Sequence, residues 1–252
     1  MSVSNIIMNI PGGEEEWSPL NIASCRLCLD ASDMSTLFTD TAATTAVTAS
    51  GQTVKAWRDK TANATLFTEA TNAPTYTEAG GLKYLVFTGK RLDSTLDMSS
   101  LNAMTICAAV RREAGTDIML INQNNGSVNP GFSMQYNTAP AIVAGSNVGT
   151  TRQTSPQNVS AQPYTEIVTG FFRRSSALLQ TRINGVNGTA TTSSQGAGTW
   201  GNANVRISGR TSDGIRTLTG NIYALLLFTE ILAGDDLTAV ESWLAARSGV
   251  TL

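Results

Sequence analysis

The chain contains no histidine among its 252 residues. That single absence removes the commonest general base and the commonest transition-metal ligand, and with them His-based catalytic triads and His-ligated zinc. Charged residues are also scarce, at 14% against about 25% in an average globular protein. The net charge is −2, so there is no basic field to draw nucleic acid or an anionic membrane. Three cysteines are too few, and an odd number, for a disulfide framework. The longest apolar run, Tyr223 to Phe228, is far too short to cross a bilayer. The first residues carry no basic start followed by an apolar stretch, so no secretory signal is expected and the chain reads as a soluble product of a cytosol.

Thr, Ser, Asn, Ala and Gly fill the space that charge leaves. These residues suit short strands joined by tight turns, with a neutral polar surface. Phe132, Met134 and Tyr136 alternate with Ser133 and Gln135, as do Met104, Ile106, Ala108 and Val110 with smaller or polar neighbours. Val205 and Ile207 repeat the pattern, and Leu179, Thr181 and Ile183 run into Asn184-Gly185, a hairpin signal. Residues 82–87 and 222–228 are apolar on both faces, which predicts central strands. Turn-rich spacers such as Asn124-Asn125-Gly126-Ser127 separate them. One helix is expected, with Leu237, Val240 and Leu244 on one face. It would be capped by Asp235 or Asp236, or by a Thr238/Glu241 box, would close at Gly249, and would pack on an edge of the sandwich. The fold class predicted is all-β, a two-sheet jelly-roll sandwich with one short C-terminal helix.

Residues 1–19 differ from the rest. Ile6, Ile7 and Ile10 precede a Pro-Gly-Gly joint and three glutamates. This segment reads either as a disordered tail or as an N-terminal arm that docks through those isoleucines on a partner. Residues 20–252 read as a single domain.

Several segments then fall into a familiar order: Leu27-Cys28-Leu29-Asp30-Ala31-Ser32-Asp33, then Gly51-Gln52-Thr53-Val54-Lys55-Ala56-Trp57-Arg58-Asp59, then Ala73-Pro74-Thr75-Tyr76 and Leu85-Val86-Phe87-Thr88-Gly89. Ile183-Asn184-Gly185, the stretch Gly220-Asn221-Ile222-Tyr223-Ala224 that runs on to Phe228, and Ser248-Gly249-Val250 complete the order. In this order the chain resembles the laminin-G-like, concanavalin-A-like lectin/glucanase superfamily, in the stand-alone form found in virion structural proteins of tailed bacteriophages. The resemblance implies an external virion component, made in the host cytoplasm, such as a capsid decoration, head fibre or tail-accessory subunit. It would be held to capsid or tail proteins by its arm and would form a homo-oligomer in the particle. An alternative is a host-surface glycan-binding adhesin, and a third is a glycan hydrolase.

Each chemistry has candidate residues. Cys25 and Cys28 are three apart, so a regular strand points them to opposite faces and keeps them from sharing a metal. The resemblance implies calcium at a sheet rim, for which Asp30, Asp33 and Asp59 are the candidates. Asp30 and Asp33 also read as turn caps, and Asp59 as a partner of Arg58 or Lys60. A glycan site needs an aromatic platform. Trp57, Trp200, Tyr136 and Tyr164 are available, and Trp200, in the loop Gly198-Thr199-Trp200-Gly201, is the surface candidate. Arg111-Arg112 and Arg173-Arg174 read as solvated strand ends or as contacts to a neighbouring subunit. Hydrolysis would need two carboxylates in close array, and the acids are dispersed, with Glu166 alone between Asp117 and Asp213. The expectation is therefore a protein without catalytic residues and without a cofactor other than calcium.

Overall fold

A computed structural model of the chain describes residues 17–123, 131–137, 141–147, 153–212 and 214–252. Ile6, Ile7, Ile10 and the expected turn at Asn124-Asn125-Gly126-Ser127 lie outside them.

The strands in chain order are β1 (Cys25–Asp30), β2 (Leu37–Phe38), β3 (Ala56–Arg58), β4 (Leu66–Thr68), β5 (Thr75–Ala79) and β6 (Leu82–Thr88). They continue as β7 (Leu92–Asp97), β8 (Ala103–Ala114), β9 (Ile118–Gln123), β10 (Gly131–Tyr136), β11 (Ala141–Asn147) and β12 (Gln153–Asn158). The last are β13 (Tyr164–Arg173), β14 (Leu178–Ile183), β15 (Val186–Asn187), β16 (Asn202–Ile207) and β17 (Thr219–Phe228), followed by helix α1 (Gly234–Ser248). They form two antiparallel sheets. The first runs β15-β14-β13-β8-β17-β6-β5, and β1 continues the β6 side of β17 at its C-terminal half. The second runs β12-β11-β10-β9-β16-β7-β4-β3-β2.

The period-2 patterns place the core. Met104, Ile106, Ala108, Val110, Val168, Phe172, Leu225 and Leu227 face inward from the first sheet. Phe132, Met134, Tyr136, Ile142, Val205 and Ile207 meet them from the second. Ser133 and Gln135, on the other face of β10, are buried as well. Between β14 and β15, Asn184 and Gly185 adopt φ of 44° and 81°, the paired left-handed geometry of a two-residue hairpin turn.

Helix α1 does not lie on a sandwich edge. It covers the outer face of the first sheet, where Val240, Trp243 and Leu244 join Cys28, Cys107, Ala109, Ile167, Leu226 and Phe228 in a second apolar cluster. Its N-cap is Ala233, with no side-chain cap; Asp235 and Asp236 sit inside the first turn, where they complement the helix dipole. Glu241 is not part of a capping box. It is buried, accepting from Arg182 Nε at 2.8 Å and Thr169 Oγ1 at 3.2 Å, so it ties the helix to β13 and β14. Gly249 closes the helix in the left-handed region, as expected.

Strand β1 also departs from regular geometry. Its register against β17 shifts between Cys25 and Leu27, so Arg26 is the extra residue of a bulge. The bulge turns Cys25 to the same side as Cys28, and both thiols pack against the cluster beneath the helix. The expectation of opposite faces fails for this reason. Even so, among the described residues no group of three or more His, Cys, Asp or Glu side chains is placed to hold a metal ion.

Candidate binding site

At one end of the sandwich the core changes from apolar to polar. Arg112 continues the inward phase of Met104, Ile106, Ala108 and Val110 on β8, and Glu166 continues the inward phase of Phe172 and Val168 on β13. Both point between the sheets and both are buried. Arg112 Nε donates to Glu166 Oε1 at 3.1 Å, and Arg112 Nη2 donates to the carbonyl oxygen of Ser160 at 2.9 Å. The guanidinium lies 4.4 Å from the ring centroid of Tyr136, which comes from the opposite sheet. An ion pair here is therefore closed from above by an aromatic face.

Beside it is a cleft of ≈ 140 Å³. Arg112, Gly115 and Thr116 line one wall, Tyr136 and Asn137 another, and residues 159–162 the third. Gln162 Nε2 donates to the Gly115 carbonyl oxygen at 2.6 Å and ties the third wall to the first. Tyr164 stands directly opposite Arg112 in the β13–β8 ladder and is 37% exposed, an aromatic at the cleft's end of the sheet.

Burial raises the Glu166 carboxyl above its ordinary range, with Arg112 pulling it back toward the ionised form. Burial also pushes the Tyr136 phenol well up, and the neighbouring Glu166 charge adds to the effect. The phenol is thus a neutral hydroxyl at any ordinary pH. Its oxygen and Glu166 Oε2 are both buried, and the phenol lies against the Glu166 carboxylate and the Arg112 guanidinium.

The residues singled out from the sequence lie elsewhere. Asp30 and Asp33 bracket the ammonium of Lys60, at 3.7 and 2.9 Å, and Arg247 of α1 lies 3.6 Å from Asp30. Burial works against the Asp33 carboxylate, but Ser35 and Lys60 hold its pKa below the usual range. Each aspartate also caps a local turn, Asp30 accepting from Ser32 N–H at 2.9 Å and Asp33 from Ser35 N–H at 3.1 Å. Asp59 accepts from the backbone N–H groups of Cys28 at 2.8 Å and Thr61 at 3.0 Å, and so seals the free edge of β1. It does not pair with Arg58 or Lys60. The three carboxylates serve the chain's own amides and cations.

Trp200 is not a surface platform. It is 0% exposed, within the inter-sheet core; its Nε1 donates to Ser146 Oγ at 2.9 Å and Arg174 lies over its ring at 5.3 Å. The glycines that flank it in sequence mark a turn that sends the ring inward. Trp57, on β3, is in the core as well. Of the two arginine pairs, Arg112 is an interior group, while Arg111 bonds to Glu113 and Arg174 donates to the carbonyl of Leu101 at 2.9 Å. The Arg112–Glu166 pair escaped the sequence reading. Its signal was present: an arginine and a glutamate each standing on the core phase of an apolar strand.

Two other acids approach each other at the base of β7. Arg91 Nε reaches Glu69 Oε2 at 2.7 Å and Asp93 Oδ2 at 3.8 Å, and Asp93 is also held by Arg206 Nε at 2.7 Å. Burial opposes ionisation of Glu69, but the Thr71 and Asn72 amides and Arg91 outweigh it and bring its pKa down to about 2. A carboxyl in that state is an ionised partner, not a proton donor.

No family model and no curated protein matches the chain. Solved structures do. The chain is similar to Trypanosoma rangeli sialidase with a TM-score of 0.60 and 11% identity, over 90% of this chain and 33% of that one. It is similar to the binding domain of Paraclostridial Mosquitocidal Protein 1 with a TM-score of 0.60 and 12% identity, over 78% of this chain and 51% of that one. The heptameric SAP-like pentraxin of Limulus polyphemus gives 0.50 and 10%, over 65% and 80%. The chain thus spans about a third of the sialidase and about half of the mosquitocidal domain. At such identities the likeness is one of fold. By fold, the chain is a two-sheet jelly-roll sandwich with one C-terminal helix.

Proposed function

We propose that the protein is a non-catalytic recognition module that holds a glycan in the cleft beside Arg112 and Tyr136. The observation that carries this reading is the cleft itself, an opening at the end of the inter-sheet core with the buried Arg112–Glu166 ion pair at its wall. Among the described residues, the Thr116 hydroxyl and the Asn137 amide of the wall are groups that suit the hydroxyls of a sugar ring, and Val159 and Ala161 suit its apolar edge. The chemistry of the acids supports binding over turnover. Glu166 is tied to Arg112, and Glu69 and Asp93 share Arg91, so each carboxylate has a cation in the place where a substrate oxygen would have to sit. Structures of the same fold include a sialidase and the binding domain of a mosquitocidal protein, and a sugar-binding role on this scaffold is in keeping with the first of them.

The setting we propose is the exterior of a bacteriophage particle, with residues 1–19 as the attachment arm and with self-association in the particle. The order of sequence segments from Leu27 to Val250 supports this setting. A glycan array tests the binding role, with hits expected on wild-type protein and no release of reducing sugar from the bound glycans. An array without hits removes the role, and sugar release restores the hydrolase alternative. Light scattering on the full chain and on a chain starting at Trp17 tests the arm: loss of the oligomer on truncation is expected, and an unchanged mass contradicts it.

A further inference from the structure

The three walls of the cleft are not equally fixed, and the size of the cleft makes that difference matter. We infer that residues 159–162 are its movable wall, that Gln162 is the latch of that wall, and that its opening admits the ligand. The inference rests on the sugar-binding reading above and goes further by naming how access to that site is controlled.

At ≈ 140 Å³ the cleft is well under the roughly 300–1,000 Å³ of ordinary ligand pockets, so room for a sugar ring with its substituents requires one wall to move. Two walls are held in ladders. Arg112, near the end of β8, is paired on one side with Tyr164 of β13 and on the other with Gly220 of β17. Tyr136, at the end of β10, is paired with Ile118 of β9 and Ile142 of β11, and the Asn137 N–H donates to the Ala141 carbonyl oxygen at 2.9 Å. Residues 159–162 join β12 to β13 and belong to no ladder. Among the described residues two hydrogen bonds fasten them to the rest of the chain, and neither is backbone to backbone.

Those two bonds differ in kind. The one from Arg112 Nη2 to the Ser160 carbonyl oxygen is charge-assisted, and its donor is a buried side chain. Val159, next in the chain, packs against the core. This end of the wall is anchored. The bond from Gln162 Nε2 to the Gly115 carbonyl oxygen joins two neutral groups in an exposed position, where water competes for both. Its rupture frees Ala161 and Gln162 while the anchor holds, which widens the cleft without disturbing either sheet.

The test is thiol labelling of the full chain. In Val159→Cys the new thiol lies on the movable wall, half-buried against the core, and Ellman's reagent reaches it when the wall opens. The parent chain, followed in parallel, supplies the background from Cys25, Cys28 and Cys107. Gln162→Met, added to Val159→Cys, keeps the length of the side chain and carries no donor, so the latch cannot form. The new thiol should then label about fivefold faster, the net worth of one neutral hydrogen bond, while Cys28 and Cys107 keep their parental rates. An unchanged rate, or a rise that Cys28 and Cys107 share, overturns the latch. In the chain with its native Val159, Gln162→Met should speed association of methyl hexoside or methyl N-acetylhexosaminide probes by a like factor, read from NMR line shapes, because binding draws on the open fraction. Probes that bind at an unchanged association rate overturn the role of the wall in access. Probes that bind neither chain, with labelling accelerated as expected, overturn the sugar reading of the cleft and leave the movable wall in place.

Discussion

Removing Arg112 should be the most damaging change to a single side chain at the candidate site, and its cost should depend on pH. In Arg112→Met the apolar stem is kept and the charge is lost, leaving the Glu166 carboxyl fully buried without its cation. Breaking a buried pair from one side costs about 3–5 kcal/mol. For a chain of this size about 2–4 °C of melting temperature accompanies each kcal/mol, so a fall of about 10 °C is expected near neutral pH. Protonation limits the loss. Burial already raises the Glu166 pKa, and Arg112 is the group that pulls it down, so the variant's folded-state pKa rises further above the unfolded value. The folded variant then binds more protons than the unfolded chain between those two values, and its stability rises as pH falls through that window. The destabilisation measured by urea unfolding should therefore be large at about pH 8 and clearly smaller at about pH 5. The double variant Arg112→Met/Glu166→Leu, which leaves no stranded charge, should recover most of the loss. A single-variant cost below about 1 kcal/mol, a cost independent of pH, or a double variant no better than the single one would refute this account of the pair.

Three further outcomes follow from other parts of the fold. Burial pushes the Cys25 and Cys107 thiols up to about 12 and Cys28 higher still, so none is a thiolate near neutrality; in native protein the half-buried Cys25 should react slowly with Ellman's reagent and the buried Cys28 and Cys107 only on the timescale of unfolding, and more than one equivalent before unfolding would contradict the packing under α1. A Cβ at Gly220 would run into the carbonyl of Arg111 across the β17–β8 ladder; Gly220→Ala should cost more than about 2 kcal/mol in urea unfolding, and parental stability would contradict that close approach. Glu69, depressed from 4.5 to about 2, stabilises the fold above its unfolded pKa and loses that contribution as pH falls toward its folded value; Glu69→Gln should cost about 1–2 kcal/mol at neutral pH and flatten the acid limb of the stability curve, and an unchanged limb would contradict the Arg91 bridge.

The fold was legible where side-chain alternation was regular. The inward rows Met104-Ile106-Ala108-Val110 and Phe132-Met134-Tyr136 could be read directly, as could the Asn184-Gly185 turn and the face of α1. What failed depended on contacts distant in sequence. The bulge at Arg26 reverses the side on which Cys25 lies, and nothing local to the sequence specifies it. Glu241 left its expected capping role because Arg182 and Thr169, 59 and 72 residues away, satisfy its carboxylate. Trp200 looked like a loop aromatic because its neighbours are glycines, while its partner Ser146 lies 54 residues off. The candidate site was hidden in the same way. Arg112 and Glu166 each looked like a stray charge, and only the β8–β13 pairing shows that they share one buried position.

A sugar should enter the cleft between the end of β8, the end of β10 and the segment 159–162, and backbone amide NMR can locate it. Titration with the strongest glycan-array hit should move the amides of Arg112, Gly115, Thr116, Tyr136, Asn137 and Gln162, and leave those of the outer face of the second sheet, such as Asn204 and Arg206, in place. Shifts confined to that outer face, with the cleft amides unmoved, would contradict the account.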